Sequence, residues 1–190
     1  MLGKLAPLAL SLFLATSASA DSWSSPQTTA QASPSGQHVV RVLPGAPRGA
    51  TATTTATAIM YRLDAAGDYV RQPSFQLLNP VAPVFVAVSD AGDLVTLDDW
   101  HSVGVGNAVV VVYSPQGRVV RNLGLADIYA PQEIAKFSES VSSVWWRCHA
   151  QTRLNSRAGT LELMDVLGFV VTVRLKTGEV SREPSGKTGC

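Results

Sequence analysis

The stretch "LDDWHSVGVG", residues 97–106, holds the side chains best suited to chemistry. A carboxylate can orient an imidazole for proton transfer, and an indole can stack on a sugar or an aromatic ligand. Loops carried by a rigid sheet are also where binding sites usually lie. We therefore take this loop as the candidate ligand-binding site, with four residues: Asp98, Asp99, Trp100 and His101.

The same residue types have a structural use. Trp100 could close the end of a hydrophobic core, and the two acids could cap turns. Gly104 and Gly106 would then permit the bend between two strands. Strand ends often carry Asp and Gly for backbone reasons alone, so the sequence favours this structural interpretation and leaves ligand binding as the alternative.

Catalytic and metal-binding patterns are weak in this sequence. Ser102, His101 and Asp99 form a triad on paper, but adjacent residues of an extended segment point to opposite faces. No G-x-S-x-G motif presents a nucleophile. The three histidines stand far apart, without His-x-His or Cys-x-x-Cys spacing. The sequence predicts no catalytic residue, no metal site and no cofactor.

The elements that carry this loop are predicted to be β-strands. About eleven runs rich in β-branched and aromatic residues are separated by turn residues, which indicates antiparallel pairing. One short helix is expected over residues 131–137, where Pro131 suits a first helical turn. The run "AVVVVY", residues 108–113, is apolar throughout and predicts a central strand covered on both faces.

Three Ser-x-x-Gly motifs precede apolar runs, at residues 33–36, 89–92 and 114–117. Ser can hydrogen-bond the local backbone, and Gly adopts the positive φ that other residues resist. We therefore predict three hairpin turns, with Gly92 and Gly117 at positive φ.

In "SSVWWRCHA", the adjacent Trp145 and Trp146 must face opposite ways on a strand. One indole should enter the core while the other lies near the surface. A packing role is favoured over a contact site. Cys148 and Cys190 could form a disulfide in an oxidising compartment, but the terminal position of Cys190 leaves a free thiol equally open.

The N-terminus has the three regions of a secretory signal peptide: Lys4, an apolar run over residues 5–15, and Ala18-Ser19-Ala20. The protein is therefore predicted to be secreted or periplasmic. No later segment is apolar enough to insert into a membrane after cleavage. The expected organisation is a signal peptide at 1–20, a flexible arm at 21–35, a single β-rich domain at 36–183 and a disordered tail at 184–190.

The charge is nearly balanced, with 15 basic and 14 acidic residues. Phosphate binding needs a clustered basic surface, and the basic residues here are scattered singly. The sequence therefore predicts no nucleic-acid partner.

The chain resembles the blades of bacterial β-propeller proteins in its Ser-x-x-Gly hairpin motifs and in the segment "VRLKTGEV", residues 173–180. The resemblance covers residues 33–180. The chain also resembles an exported bacterial family of uncharacterised function, which implies no catalytic residues. The resemblance implies an all-β fold of antiparallel meanders like propeller blades. Eleven strands are too few for four blades of four strands, so the expected form is an incomplete ring, an open sheet or a sandwich.

An incomplete ring leaves a sheet edge or face uncovered, which predicts a protein partner or self-association. The leading functional hypothesis is an exported, non-catalytic domain that binds proteins or serves as a scaffold at the cell envelope. The alternative is a carbohydrate- or small-ligand-binding protein, or an enzyme, that uses the loop at 98–101.

Overall fold

The computed structural model describes residues 23–46, 54–187 and 190. The predicted signal peptide at 1–20 lies outside the described residues. Across the described residues the chain is almost entirely β, with fourteen strands and two short helical segments. The predicted all-β fold class is confirmed.

Twelve of the strands form three four-stranded antiparallel meanders, which we call blades 1, 2 and 3 in chain order. Each blade runs from its first strand to its fourth without a crossover, as a propeller blade does. Blade 1 comprises β1 (Thr29–Ala32), β2 (His38–Leu43), β3 (Thr57–Leu63) and β4 (Tyr69–Gln76). Blade 2 comprises β5 (Pro83–Val88), β6 (Leu94–Asp99), β7 (Val110–Tyr113) and β8 (Val119–Leu123). Blade 3 comprises β11 (Arg147–Asn155), β12 (Thr160–Asp165), β13 (Phe169–Arg174) and β14 (Val180–Pro184).

A connecting segment joins blade 2 to blade 3. It contains a 3-10 turn (Leu125–Asp127), helix α1 (Pro131–Ile134) and a two-stranded pair, β9 (Ser138–Glu139) with β10 (Val144–Trp145). The helix begins at Pro131 as predicted but has four residues rather than seven. Glu133 accepts a hydrogen bond from the Ala130 backbone N–H and so caps its first turn.

The structure corrects three expectations. Fourteen strands replace about eleven, because β1 and β9 carry no apolar run that would reveal them and the run "SSVWWRCHA" is divided between β10 and β11. The segment expected as a flexible arm contains β1, whose four residues are all exposed and pair with β2 through the backbone. The expected disordered tail ends in a disulfide between Cys190 and Cys148, which ties the terminus to blade 3.

The predicted Ser-x-x-Gly hairpins are confirmed. In each, the glycine N–H donates to the serine carbonyl three residues earlier, and the glycine has a φ between 74° and 86°. The turns beginning at Asp64 and Asp165 have the same backbone bond. These turns recur because a four-residue turn with a left-handed glycine joins two antiparallel strands closely.

Blade 2 lies between the other two blades, and two hydrophobic clusters hold the stack together. Val111 and Tyr113 of β7 belong to the cluster shared with blade 1, while Val110 and Val112 belong to the cluster shared with blade 3. All four side chains are fully buried. The predicted central strand is confirmed, and its two covering faces come from the same chain.

The glycine turns provide a stability test of blade packing. A Cβ at Gly117 would overlap the ring of Phe75 in blade 1, whereas one at Gly67 would meet nothing within 4 Å. Both glycines have positive φ, so Gly→Ala costs backbone strain of about 1 kcal/mol at either position. Overpacking adds about 1–3 kcal/mol at Gly117 alone. Urea unfolding should show the larger loss for Gly117→Ala. Equal losses would mean that Phe75 moves away without cost.

Candidate functional site

The segment 98–101 starts with the last two residues of β6, and its first residue, Asp98, is left-handed. Asp98 has φ 57° and His101 has φ 68°, conformations that Asp and His tolerate better than most residues. An isolated bridge between Asp99 and Ser102 closes the loop. The two carboxylates turn inward: Asp98 is 0% exposed and Asp99 is 4% exposed.

Asp98 is the centre of a buried network between blades 2 and 3. Its Oδ1 accepts hydrogen bonds from the Gly104 backbone N–H and the Trp146 indole Nε1, both at 2.9 Å. Its Oδ2 forms an ion pair with Arg147 Nε at 2.9 Å, and both side chains are almost completely buried. The carboxylate therefore organises its own loop and ties that loop to the start of blade 3.

Asp99 links the same loop to the segment between blades 1 and 2. Its Oδ1 accepts hydrogen bonds from the backbone N–H groups of Val81, at 3.1 Å, and Ala82, at 3.3 Å. The Trp100 N–H in turn donates to the Ala82 carbonyl. This arrangement gives the carboxylate the backbone-capping role that the structural interpretation assigns to the acids.

Trp100 and His101 lie apart from the carboxylates and are half-buried. Both rings contact Trp23, with centroids 5.3 Å and 5.5 Å from it. The indole Nε1 of Trp100 donates to the Ser24 carbonyl at 2.8 Å. Of the four predicted ligand-binding residues, these two are the ones that remain partly exposed. Trp23 joins them from a segment whose polar composition concealed its role.

A groove of about 450 Å³ is lined by Trp100 of this aromatic group and runs along β5. We call it the inner groove, because it lies beside the first strands of the blades. Each of these strands is an edge of its sheet. The groove is lined by Ser24, Ser25, Pro26, Gln27, Thr29, Gln31, Ala32, Pro34, Val42, Ala82, Pro83, Val84, Phe85, Val86, Ala87, Val88, Trp100 and Leu154.

The lining of the inner groove contains no charged side chain. Sequence reasoning missed this site, because β5 looks like any apolar strand. Only the position of β5 at a sheet edge, beside β1 and Leu154 of blade 3, makes it a groove. Such a surface suits an uncharged, extended ligand.

Trp145 and Trp146 differ in burial, as predicted for adjacent residues that face opposite sides of a strand. Trp146 is fully buried, while Trp145 is half-buried with its ring 5.9 Å from that of His149. Burial, together with the nearby Arg147 charge, lowers the pKa of His149. Trp146 lies edge-on to Tyr129, whose centroid is 6.3 Å away. Trp146 therefore belongs to the core beneath the connecting segment.

Helix α1 is fastened to blade 3 by a separate charged cluster. The guanidinium of Arg182 contacts both carboxylate oxygens of Glu133, at 2.9 and 3.1 Å. It also lies over the rings of Tyr129 and Phe169, 4.4 and 4.5 Å from their centroids. Burial raises the pKa of the Tyr129 hydroxyl far above its usual value, and the nearby Asp165 charge adds to the effect. This phenol is therefore a neutral packing group.

Within residues 23–46, 54–187 and 190, no group of three or more His, Cys, Asp or Glu side chains is arranged to hold a metal ion. No helix in the same ranges has the length and apolar character needed to cross a membrane.

No protein-family model matches the chain, and neither does any curated protein. Among solved structures, the chain is similar to Sqt1 from Saccharomyces cerevisiae, with 10% identity and a TM-score of 0.33. The match covers 78% of this chain and 48% of the yeast protein, so the chain spans about half the length of that structure.

Proposed function

We propose that this chain is an exported, non-catalytic protein-binding module, and that the inner groove is its recognition surface. The observation that carries the proposal is the separation of the two parts of the candidate site. Both acids of the loop are buried: Asp98 contacts Gly104, Trp146 and Arg147, and Asp99 accepts backbone hydrogen bonds. The groove beside Trp100, by contrast, is open and has no charged lining. A surface without charged or catalytic groups is suited to recognition.

The groove suits an extended segment of a partner protein. Edge strands such as β1 and β5 present backbone N–H and C=O groups that an added strand can bond. Phe85 and Trp100 supply apolar surface for alternate side chains of the bound segment. Because the groove has no charged lining, the bound segment is uncharged. Binding of this kind also supports a scaffolding role at the cell envelope.

Selection from a random peptide library displayed on phage tests this function. The mature chain, residues 21–190, should enrich uncharged apolar peptides. Gln31→Lys places a charge in the groove from an exposed position and should weaken binding of those peptides at least tenfold. The matched control is Ala30→Lys on the same strand, at a residue outside the groove lining. Equal binding by both variants, or no enrichment, would contradict the proposal.

A carbohydrate ligand is the second candidate, and the aromatic group favours it. Trp23, Trp100 and His101 place three rings together, and of these Trp100 lines the groove. Indole faces stack on sugar rings. A glycan array should then show binding that disappears in Trp100→Ala while the variant stays folded. Glycan binding without peptide enrichment would favour this candidate over the first.

Export rests on the order of Lys4, the apolar run and Ala18-Ser19-Ala20. We expect mass spectrometry of the secreted or periplasmic protein to find Asp21 at the N-terminus. Intact Met1 on the main cytoplasmic form would argue against export.

A further inference from the structure

A cavity of about 530 Å³ lies between blade 1 and two hairpin turns of blade 2. We call it the polar cavity, after the polar side chains in its lining: Gln37, His38, Arg62, Gln72, Asp90 and Gln116. Its volume is within the range of roughly 300–1,000 Å³ that small-molecule sites occupy. The polar cavity and the inner groove share no lining residue, so the polar cavity is a separate candidate site.

Strand alternation and a β-bulge build the wall that blade 1 contributes. Met60 is buried in the hydrophobic cluster shared with blade 2, and Arg62, two residues further along β3, lies on the same face. His38 of β2 stands directly opposite Arg62 in the register. In β4, two residues, Gln72 and Pro73, stand opposite the single residue Met60. Bulges of this kind are over-represented next to active sites, where they re-aim a side chain.

The wall from blade 2 consists of the hairpin turns at 89–92 and 114–117, which contribute Asp90 and Gln116. Asp90 is held in place because its Oδ1 accepts hydrogen bonds from the Ser35 N–H, at 2.8 Å, and the Ser35 hydroxyl, at 2.6 Å. These bonds lower the pKa of the Asp90 carboxyl, which is therefore ionised at neutral pH. An ionised carboxylate offers about four lone-pair sites, so Asp90 can accept further hydrogen bonds.

Arg62 and Asp90 bring opposite charges to the polar cavity without pairing. Within the described part of the chain, neither residue forms an ion pair. His38 adds no charge at neutral pH: burial lowers the pKa of its imidazole, and the Arg62 charge lowers it further, against an opposing effect of Asp90. The polar cavity thus presents one cation and one anion that do not neutralise each other.

We propose that the polar cavity binds a small zwitterion, a free amino acid or a short peptide, whose carboxylate contacts Arg62 and whose ammonium group contacts Asp90. A guanidinium presents two parallel N–H donors that fit a carboxylate, and a carboxylate accepts the N–H bonds of an ammonium group. A ligand with a single charge would leave one of the two side chains without a partner. Three side-chain amides in the lining can bond the ligand's other polar groups: Gln37, Gln72 and Gln116.

A thermal-shift screen of the mature chain tests whether such ligands bind. The probes are the free amino acids and unblocked dipeptides and tripeptides, each at millimolar concentration. A ligand that binds only the folded chain should raise Tm by about 5 °C or more when its concentration is about 100 times its Kd. A response to amino acids alone identifies the first ligand class, and a response to peptides alone identifies the second. No increase in Tm with any probe would overturn the proposal.

Blocked forms of the ligand found in that screen test the two charges. N-acetylation removes the ammonium group that Asp90 should contact, and C-terminal amidation removes the carboxylate that Arg62 should contact. Isothermal titration calorimetry should show that each blocked form binds at least tenfold more weakly than the zwitterion, because hydrogen bonds between charged groups are the strong ones. A blocked form that binds as tightly as the zwitterion would overturn the assignment of both charges.

Two variants test the residues themselves. Arg62→Gln should weaken binding of the zwitterion at least tenfold and leave the weaker binding of the amidated form unchanged, because that form has no carboxylate to lose. Asp90→Asn should have the same pair of effects on the zwitterion and the N-acetylated form. The matched controls are Arg71→Gln and Asp68→Asn, at exposed residues of blade 1 outside the cavity lining. Both controls should bind the zwitterion as wild type does.

The variant Gln31→Lys separates this site from the inner groove. Gln31 lines the groove and not the polar cavity, so this variant should bind the zwitterion as tightly as wild type. Loss of binding in Gln31→Lys, with full binding kept in Arg62→Gln and Asp90→Asn, would place the ligand in the inner groove and overturn the proposal. Circular dichroism checks the fold of each variant. The comparison of blocked ligands uses the wild-type chain, so it decides the question even where a variant does not fold.

Discussion

Asp98→Ala should cost about 3–5 kcal/mol of unfolding free energy, the loss typical when one partner of a buried ion pair is removed. Arg147 would keep its charge at 3% exposure without the carboxylate that balances it. Trp146 Nε1 and the Gly104 N–H would lose their acceptor at the same time. Urea unfolding monitored by tryptophan fluorescence measures the change.

Asp64→Ala is the matched control. That carboxylate also bonds two backbone N–H groups, those of Ala66 and Asp68, but in an exposed turn. Its removal should cost about 1 kcal/mol. Losses of similar size for both variants would contradict the structural role of Asp98.

A double-mutant cycle measures the coupling energy of the ion pair between Asp98 and Arg147. Asp98→Asn keeps the size and the left-handed conformation of the side chain but leaves the Arg147 charge unpaired. Adding Arg147→Met removes that charge, so the double variant should be less destabilised than the sum of the two single variants by about 1–3 kcal/mol. Additive losses would show that the ion pair contributes nothing beyond the two hydrogen bonds.

Cys190→Ser should destabilise the protein by about 4 kcal/mol, the chain-entropy cost of opening a loop of this length. The disulfide joins cysteines 42 residues apart and closes a loop that contains blade 3 from Cys148 onward. Without it, the C-terminal segment after β14 would lose its covalent attachment to Cys148. Denaturant unfolding under non-reducing conditions measures the effect.

Reduction of the wild-type protein supplies the control. Dithiothreitol and the Cys190→Ser substitution remove the same disulfide. Dithiothreitol should therefore lower the stability of the wild type to that of Cys190→Ser and leave the stability of the variant unchanged. Thiol titration of the unfolded, unreduced wild type should find no free thiol. Two reactive thiols in that assay would contradict the disulfide.

The features that could be predicted from the sequence alone are those that depend on a few neighbouring residues. A Ser-x-x-Gly turn needs only its own four residues, so the turns ending at Gly36, Gly92 and Gly117 could be located correctly. An unbroken apolar strand needs cover on both faces, which placed residues 110–113 at the centre of the fold. The all-β class and the blade-like meanders follow from these turns and strands.

Contacts between distant parts of the chain decided the rest. Asp98 meets Trp146 and Arg147, 48 and 49 residues further along, and no local pattern selects those partners. β1 has four exposed residues and exists because β2 offers it backbone partners. The inner groove likewise arises only where β1, β5 and Leu154 come together at the edges of three different sheets. The sequence predicts turns because each turn closes within four neighbouring residues. The contacts of Asp98, the pairing of β1 and the inner groove depend instead on how distant strands and whole blades pack together.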